Sequence, residues 1–372
     1  MSSKTDPILP GSTIGILGGG QLGRMLAVAA SKLGMNTHIY CPDEESPALE
    51  VAKFHTIAPY EDQKALREFA LGVDLVTYEF ENVPATAAKL INDLVLLAPG
   101  ENALKTSQDR LLEKRFLNNL DIGIANFAPV NSLGQLHQAI KTIGIPSVLK
   151  TTRFGYDGKG QRMLKSSLDA EKAYEEFAGK QLVLEAFIEF ECEISIVIAR
   201  NGQGEIKAYE PSLNVHKNHI LDTSSVPAGI QKSTTDEAIA IATKIVDALQ
   251  YQGVLAVEFF VCKQLEKSSS KSSSTQTLLV NEIAPRVHNS GHWTQNTCPT
   301  DQFEQHIRAI CNWPLGTSER MANVVMRNLI GGEINLIPHG LLPGDHPHIY
   351  GKKQSRPGRK MGHINTLSPL SK

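Results

Sequence analysis

The sequence predicts a mixed α/β and α+β protein, with a doubly wound, Rossmann-like N-terminal domain followed by a lobe built on a mostly antiparallel sheet. Three observations carry this. Gly18-Gly-Gly-Gln-Leu-Gly23 sits between a β-type run, Thr13-Ile-Gly-Ile-Leu17, and a helical run over residues 24–33. A second β-type run ends in Lys150 and opens into a glycine-rich loop, Phe154-Gly-Tyr-Asp-Gly-Lys-Gly-Gln161. Far downstream, two apolar runs each deliver acid: Val254-Leu-Ala-Val-Glu-Phe-Phe-Val261 carries Glu258, and Leu278-Leu-Val-Asn-Glu282 carries Asn281 and Glu282.

In chain order, Gly18, Gly20 and Gly23 fit Gly-x-Gly-x-x-Gly between strand and helix, so the helix N-terminus can hold a phosphate. A strand over 36–40 ends before Asp43 and Glu44, roughly where a dinucleotide ribose acid is expected. On these residues alone a nicotinamide dehydrogenase is a serious rival. Further strands are expected over 55–57 and 73–78, then Glu79-Phe-Glu-Asn-Val-Pro84 at a strand's carboxyl end. Ligands of doubly wound sheets sit at that edge, which makes Glu79 and Asn82 candidates for a polar substrate; Asn82, before Pro84, would equally serve as a helix cap. A strand over 95–98 precedes one helix running from Pro99-Gly-Glu-Asn102 through Gln108-Asp-Arg110 to Leu120.

Residues 108–126 read as the passage between domains. A helix over 133–143 leads to the strand 148–150; after the loop come a strand, a helix over 168–177, and strands over 181–188 and 192–199, making the α+β lobe. Ser268-Ser-Ser-Lys-Ser-Ser-Ser274 reads as a flexible loop at a hairpin tip. With 372 residues, 41% hydrophobic and 20% charged, the chain is an ordinary globular protein of two or three domains. Its net charge of −2 gives no field for nucleic acid or membrane, and a small anionic substrate fits better. Five cysteines without a Cys-x2-Cys pair argue against a disulfide framework or a structural zinc. No signal-like or long apolar stretch is present, and a cytoplasmic location is expected.

The loop at 155–161 can close over a polyphosphate, because glycines leave backbone N–H groups accessible while Lys150 and Lys159 supply charge. Its spacing is not that of a P-loop, and by itself it reads equally as a hairpin tip with solvated lysines. Glu258 lies in an otherwise apolar run, which makes solvation a weak explanation for it. Mg²⁺ prefers one or two carboxylates plus substrate phosphates, and Glu258 with Glu282 offers such a site. Near the C-terminus, Lys352, Lys353, Arg356, Arg359 and Lys360 cluster around Pro357-Gly358, by composition a solvated loop.

This combination resembles the ATP-grasp superfamily. Two long motifs, Phe154-Gly-Tyr-Asp-Gly-Lys-Gly-Gln161 and Asn281-Glu-Ile-Ala-Pro-Arg-Val-His-Asn-Ser-Gly-His-Trp-Thr294, resemble its N5-carboxyaminoimidazole ribonucleotide synthetase family, and the match runs from about Ile14 to about Asn365. The resemblance implies an ATP-grasp fold with a Rossmann-like domain over 1–107, an ATP-grasp domain over 108–300 with a flap subdomain at about 127–190, and a small C-terminal domain over 301–372. It implies ATP-dependent carboxylation of 5-aminoimidazole ribonucleotide by bicarbonate, through carboxyphosphate, with release of ADP and phosphate.

Carried over residue by residue, the ATP phosphates would meet Arg110, Lys150 and Lys159 under a cover of Gly155, Tyr156, Asp157, Gly158, Gly160 and Gln161. Adenine would lie along Glu185, Ala186, Phe187 and Ile188, and the ribose on Glu193. His216 matches a nucleotide-contacting position, although a surface histidine reads nearly as well. Mg²⁺, or Mn²⁺ in its place, would sit on Glu258 and Glu282 with Asn281 assisting. Arg286 would anchor bicarbonate, and with Lys150 and Glu282 forms the implied catalytic set. The aminoimidazole ribonucleotide would meet Gln21, Leu22, Glu79, Tyr156, His288 and Asn289, its phosphate closed on by Lys352, Arg359 and Lys360. His292 and Trp293 receive no role. A homodimer and a functional link to the mutase that uses the product are also implied. The chain stops at Lys372, sooner after the basic motif than the family leads one to expect, so a terminal helix is expected to be absent. Formate-dependent glycinamide ribonucleotide formylation is the nearest alternative, and His288-Asn-Ser-Gly-His-Trp293 favours the carboxylase. The dehydrogenase reading explains only the first 45 or so residues.

Overall fold

Short strands buried on both faces, as Thr13–Leu17 and Leu75–Tyr78 are, need cover on both sides from the helices between them, and at the N-terminus they pair in parallel. The structure, a computed structural model, describes residues 6–155, 158–263 and 276–370. Thr13–Leu17 lies between Asn36–Cys41 and Leu75–Tyr78, with Phe54–Ile57 outside Asn36–Cys41. The strand expected over 95–98 is reduced to a bridge between Val76 and Leu97. Pro99 follows at once, and a residue without an amide cannot extend a ladder.

The helix expected from 99 to 120 is two helices, Glu101–Ser107 and Arg110–Asn119. Asp109 makes the break, since its carboxylate accepts the amides of Leu111 at 3.0 Å and Leu112 at 3.3 Å and so caps a new helix. Arg110, Glu113 and Lys114 then stand three and four residues apart on one helix face.

The flap lobe is a four-stranded antiparallel sheet in the order Phe127–Val130, Leu182–Ala186, Ser147–Thr151, Gln161–Leu164. Helices Leu133–Ile143 and Asp169–Glu176 pack on it through Leu136, Ala139, Ala170 and Ala173. Cys192–Arg200, expected within this lobe, leaves it for the large central sheet. It is apolar on both faces and needs a two-sided core, which an outer strand of a small lobe does not offer.

That central sheet runs Gln276–Ala284, Gly253–Lys263, Cys192–Arg200, Ser212–Lys217, Ile220–Val226, Asn323–Ile330, Lys360–Ser368, Asp345–Ile349, with Ile206–Ala208 also paired to Cys192–Arg200. One face buries Ile194, Ile196, Leu255, Val257 and Phe259 against helix Lys232–Ala248. The other buries Val197, Val254 and Ala256 in a core shared with Ile14, Ile16 and Leu26 of the N-terminal sheet layer and with Phe303 and Ile307 of helix Gln302–Ile310. The Ser268–Ser274 stretch lies outside the described residues.

Helix Gln21–Lys32 begins at Gln21, three residues earlier than expected. The anion position at its N-terminus is filled from within. Glu79, at the end of Leu75–Tyr78, accepts the amide of Gly23 at 2.7 Å and that of Gly20. A Cβ on Gly20 would come within 2.7 Å of the same carboxylate. A dinucleotide pyrophosphate would meet a like charge there, which removes the physical basis of the dehydrogenase reading. Glu79→Ala should leave two amides without their acceptor and cost about 1–3 kcal/mol, read as a lowered urea midpoint. An unchanged midpoint would mean that the carboxylate does not tie the loop.

Candidate active site

A cleft of about 1030 Å³ opens where the flap sheet, the uncovered end of the central sheet and the carboxyl edge of the N-terminal sheet meet. Strand Gly253–Lys263 alternates into it. Val254 and Ala256 bury one face in the shared core, and Glu258 and Phe260 continue that face into the cleft wall. The neighbouring strand carries a bulge. Glu258 pairs with Glu282 while Phe259 pairs with Val280, so Asn281 is the extra residue. Without it Val280 and Glu282 would share a face. With it, Leu278, Val280 and Ile283 all reach the helix-side core, and Glu282 turns to the cleft beside Glu258. Burial, with the charge of Glu282, pushes Glu258 up to about 7.

Cations from helix Arg110–Asn119 and from the flap line the same cleft. Arg110 Nη1 stands 3.4 Å from Glu282 Oε2. Lys114 and Lys150 share Glu185 Oε2 at 3.2 and 3.0 Å. Burial alone would raise the Glu185 carboxyl, but Lys150, Lys114 and Arg110 hold it below the usual range. Its second oxygen is buried without a partner. Glu113, on the same helix, accepts the Ile283 amide at 2.5 Å, and burial with the charge of Glu282 pushes it up to about 8.

Gly155, Gly158, Lys159 and Gln161 line the cleft. Gly158 has φ +77, and a Cβ on it would meet the His219 ring at 2.6 Å, so the loop needs glycine where it folds against the turn before Ile220. Gly160, with φ +71, sits on Thr151 and is not part of the wall. Tyr156 and Asp157 lie outside the described residues. Ala186, Phe187 and Ile188 line the wall after Glu185, the amides of Ala186 and Phe187 already held by Asn126 O at 2.8 Å and Pro146 O at 3.3 Å. Phe190 stacks on Phe260 with ring centroids 4.7 Å apart, an apolar floor that sequence reasoning missed. Glu193 and His216 stand 3.4 Å apart in the wall. Burial would lower the His216 ring, but Glu193 raises it; it is no stray surface histidine.

At the other end Arg286 Nε meets Glu81 Oε2 at 2.5 Å. Burial would raise Glu81, but Arg286 holds it below the usual range. Glu81 was missed although it alternates with Glu79 along a strand's carboxyl end. His288 Nδ1 takes the Ser290 amide at 3.4 Å and meets Ser290 Oγ at 2.9 Å, leaving Nε2 to face Glu258 Oε1 at 3.6 Å. Burial and Arg286 push His288 well below its ordinary value, so it is neutral. Asn289 lines the cleft but exchanges hydrogen bonds with Asn328 at 3.0 and 2.9 Å.

Gln21, Leu22, Glu79 and Asn82 form the N-terminal wall. Asn82 caps nothing, since helix Ala85–Asn92 starts at Pro84 without a side-chain cap. Lys360 reaches the cleft. Lys352 sits behind it, donating to Lys360 O at 2.8 Å, and is held down to about 8 by burial and Arg359. Arg359 donates to Gln354 O at 2.8 Å and is not part of the cleft wall. Trp293 is core, 1% exposed. The five cysteines are free, and among the described residues no helix is long and apolar enough to cross a membrane.

Family models match three consecutive stretches: a ribonucleotide synthetase preATP-grasp domain over residues 12–108, an ATP-grasp domain over 115–303 and a phosphoribosylaminoimidazole carboxylase C-terminal domain over 324–371. The N5-carboxyaminoimidazole ribonucleotide synthase of Brucella melitensis is 47% identical over 364 residues, 97% of either chain. The crystal structure of an ADP complex of an N5-carboxyaminoimidazole ribonucleotide synthetase matches with a TM-score of 0.91 at 41% identity, covering 98% of this chain and 94% of the other. That of the Aspergillus clavatus N5-carboxyaminoimidazole synthase with ADP and 5-aminoimidazole ribonucleotide gives 0.88 at 28% identity, covering 97% and 95%. The chain belongs to the N5-carboxyaminoimidazole ribonucleotide synthase family of ATP-grasp enzymes, ligases that use ATP to carboxylate 5-aminoimidazole ribonucleotide in purine biosynthesis.

Proposed function

We propose that this cleft carries out the family's reaction through carboxyphosphate, with ATP at the flap end, the aminoimidazole ribonucleotide at the N-terminal end, and bicarbonate between them. The observation that carries the reading is the cross-strand pair Glu258 and Glu282, facing a cleft with cations on both sides. Arg110, Lys150, Lys159 and the loop over 155–161, including Tyr156 and Asp157, take the phosphates. Lys114, unforeseen in the sequence, joins them. Adenine lies along Glu185 to Ile188, where the amides of Ala186 and Phe187 are engaged within the fold and backbone carbonyls and the partnerless Glu185 oxygen are the acceptors on offer. Glu193 with His216 takes the ribose.

The residues fit a hard cation. Burial and the charge of Glu282 raise Glu258, a strain that a divalent ion relieves, and Asn281 adds an amide oxygen beside the two carboxylates. The described residues hold no cluster of three or more His, Cys, Asp or Glu donors, so Glu258 and Glu282 would hold the ion together with phosphate oxygens and water. Bound there, Mg²⁺, or Mn²⁺ in its place, supplies neutralisation of the polyphosphate charge.

Positioning and electrostatics carry the rest. Arg286, fixed on one edge by Glu81, presents its remaining N–H groups to bicarbonate. A bicarbonate oxygen attacks the terminal phosphorus, the bond to ADP breaks, and carboxyphosphate forms. The substrate amine then attacks the carboxyl carbon, or CO₂ released from it, and phosphate leaves as the amine loses its proton. His288, neutral and open at Nε2, orients substrate with Gln21, Leu22, Glu79 and Asn289. Lys360 and Lys352, with Arg359, hold its phosphate. The proposed division of labour follows boundaries near residues 107 and 300. A homodimer, a cytoplasmic setting and a mutase that consumes the product complete the reading.

Two expectations follow from the acids. Glu282→Gln should remove most turnover while leaving the fold intact; near-parental ADP release at limiting Mg²⁺ would contradict the metal assignment. Glu258 and Glu113 stand at about 7 and about 8 against an ordinary 4.5, so between these values the folded chain binds protons that the unfolded chain has released. The stability this adds is fully present below about pH 4.5 and is lost as pH rises through about 7 and 8. Thermal midpoints of the ligand-free chain should fall from pH 7 to pH 8.5, above the range in which the buried histidines take up protons on unfolding, and a rise would be the opposite result. Lys360→Ala should raise the KM for aminoimidazole ribonucleotide by roughly 1.5–3 kcal/mol if a charge-assisted bond is lost, leaving the KM for ATP almost unmoved; equal weakening of both would point to domain packing instead.

A further inference from the structure

Glu113 is a buried acid that the reaction above does not use. It is 4% exposed, and sequence reasoning assigned it no role. Its Oε1 accepts the backbone N–H of Ile283 at 2.5 Å. Strand Gln276–Ala284 is the edge of the central sheet, so every second amide faces outward, away from Gly253–Lys263. The Val280 amide is taken by Gly123 O at 2.8 Å. In a regular strand the next outward amide would belong to residue 282. The extra residue at Asn281 delays it to Ile283, and that is the amide Glu113 holds. The two outer contacts therefore bracket the bulge. A slip of one residue would turn Ile283 to the cleft and Glu282 to the helix-side core.

We propose that Glu113 is a positioning residue that pins this bulge by capturing the Ile283 amide and so aims Glu282 at the cleft. Arg110 and Lys114 act from the same helix face, on Glu282 and Glu185. One helix thus fixes the direction of both acids flanking the phosphate region. The hydrogen bond stands by itself; only its effect on turnover rests on the proposed metal role of Glu282.

Three variants test it in the full chain. Glu113→Gln keeps an oxygen acceptor, Glu113→Leu removes it, and Glu113→Asp shortens its reach by one methylene. Amide exchange at Ile283 is read without nucleotide or metal, and ADP release is read across a Mg²⁺ titration. Glu113→Gln should keep parental protection and turnover. Glu113→Leu and Glu113→Asp should each lose roughly tenfold or more of the protection at Ile283, while amides of helix Lys232–Ala248 stay protected, and half-saturation by Mg²⁺ should rise by a similar factor. Unchanged Ile283 protection in Glu113→Asp or Glu113→Leu would overturn the proposal, as would loss in Glu113→Gln equal to theirs. Lost protection with unaltered Mg²⁺ dependence would uphold the pin and contradict the metal role of Glu282. Should Glu113→Leu fail to fold, Glu113→Asp against Glu113→Gln decides.

Discussion

Two carboxylates held side by side in a partly buried cleft repel each other, and the architecture is arranged around that repulsion. Glu258 and Glu282 are direct cross-strand neighbours, which places their Cβ atoms about 5 Å apart. At an effective dielectric of about 20, two unit charges at that distance cost about 3 kcal/mol. Burial adds to it, and together they raise Glu258. Arg110 offsets part of the charge from one side. His216 and Lys360 offset more of it, and on the proposed reading the remainder is met by the cation the cleft takes in, which would make the pair a binding device rather than a source of stability.

Neither acid reaches the cleft by itself. Glu258 gets there because its strand outruns the N-terminal domain that covers Val254 and Ala256 on the same face. Glu282 gets there because the bulge at Asn281 reverses the alternation of its strand. At the far end the N-terminal sheet contributes two acids in alternation, Glu79 tying the glycine loop and Glu81 tying Arg286. The domains are joined through this wall as well as through their common core, and Arg286 is tied to the N-terminal edge by Glu81.

What the sequence made legible follows from periodicity and from motif. Most strands and helices before residue 200, and the two acid-bearing strands, were visible, because apolar alternation and capping residues are local signals; the helix Lys232–Ala248 and the strands Ser212–Lys217, Ile220–Val226, Asn323–Ile330 and Lys360–Ser368 went unread. Glu258 was legible because an acid in an apolar run demands a reason. The glycine signature at Gly18 to Gly23 was legible and misleading, since the carboxylate that fills its anion position comes from Glu79, more than fifty residues away. The bulge at Asn281 has no glycine to announce it. Lys114 and Glu113 looked like ordinary helix charges, because spacing tells which residues share a face but not what that face packs against. Cys192–Arg200 was placed in the wrong sheet for the same reason. Arg359 matched a motif, yet it is not among the residues that line the cleft.

The central claim is that phosphoryl transfer to bicarbonate happens between the acid pair and Arg286, before the amine is carboxylated. Bicarbonate labelled with ¹⁸O tests it most directly, with ATP, Mg²⁺ and 5-aminoimidazole ribonucleotide present and the inorganic phosphate recovered. If bicarbonate is phosphorylated, the oxygen that joined carbon to phosphorus stays with phosphorus, and the phosphate carries one labelled atom per turnover. Phosphate free of label, with ADP still released and the product carboxylated, would contradict the account.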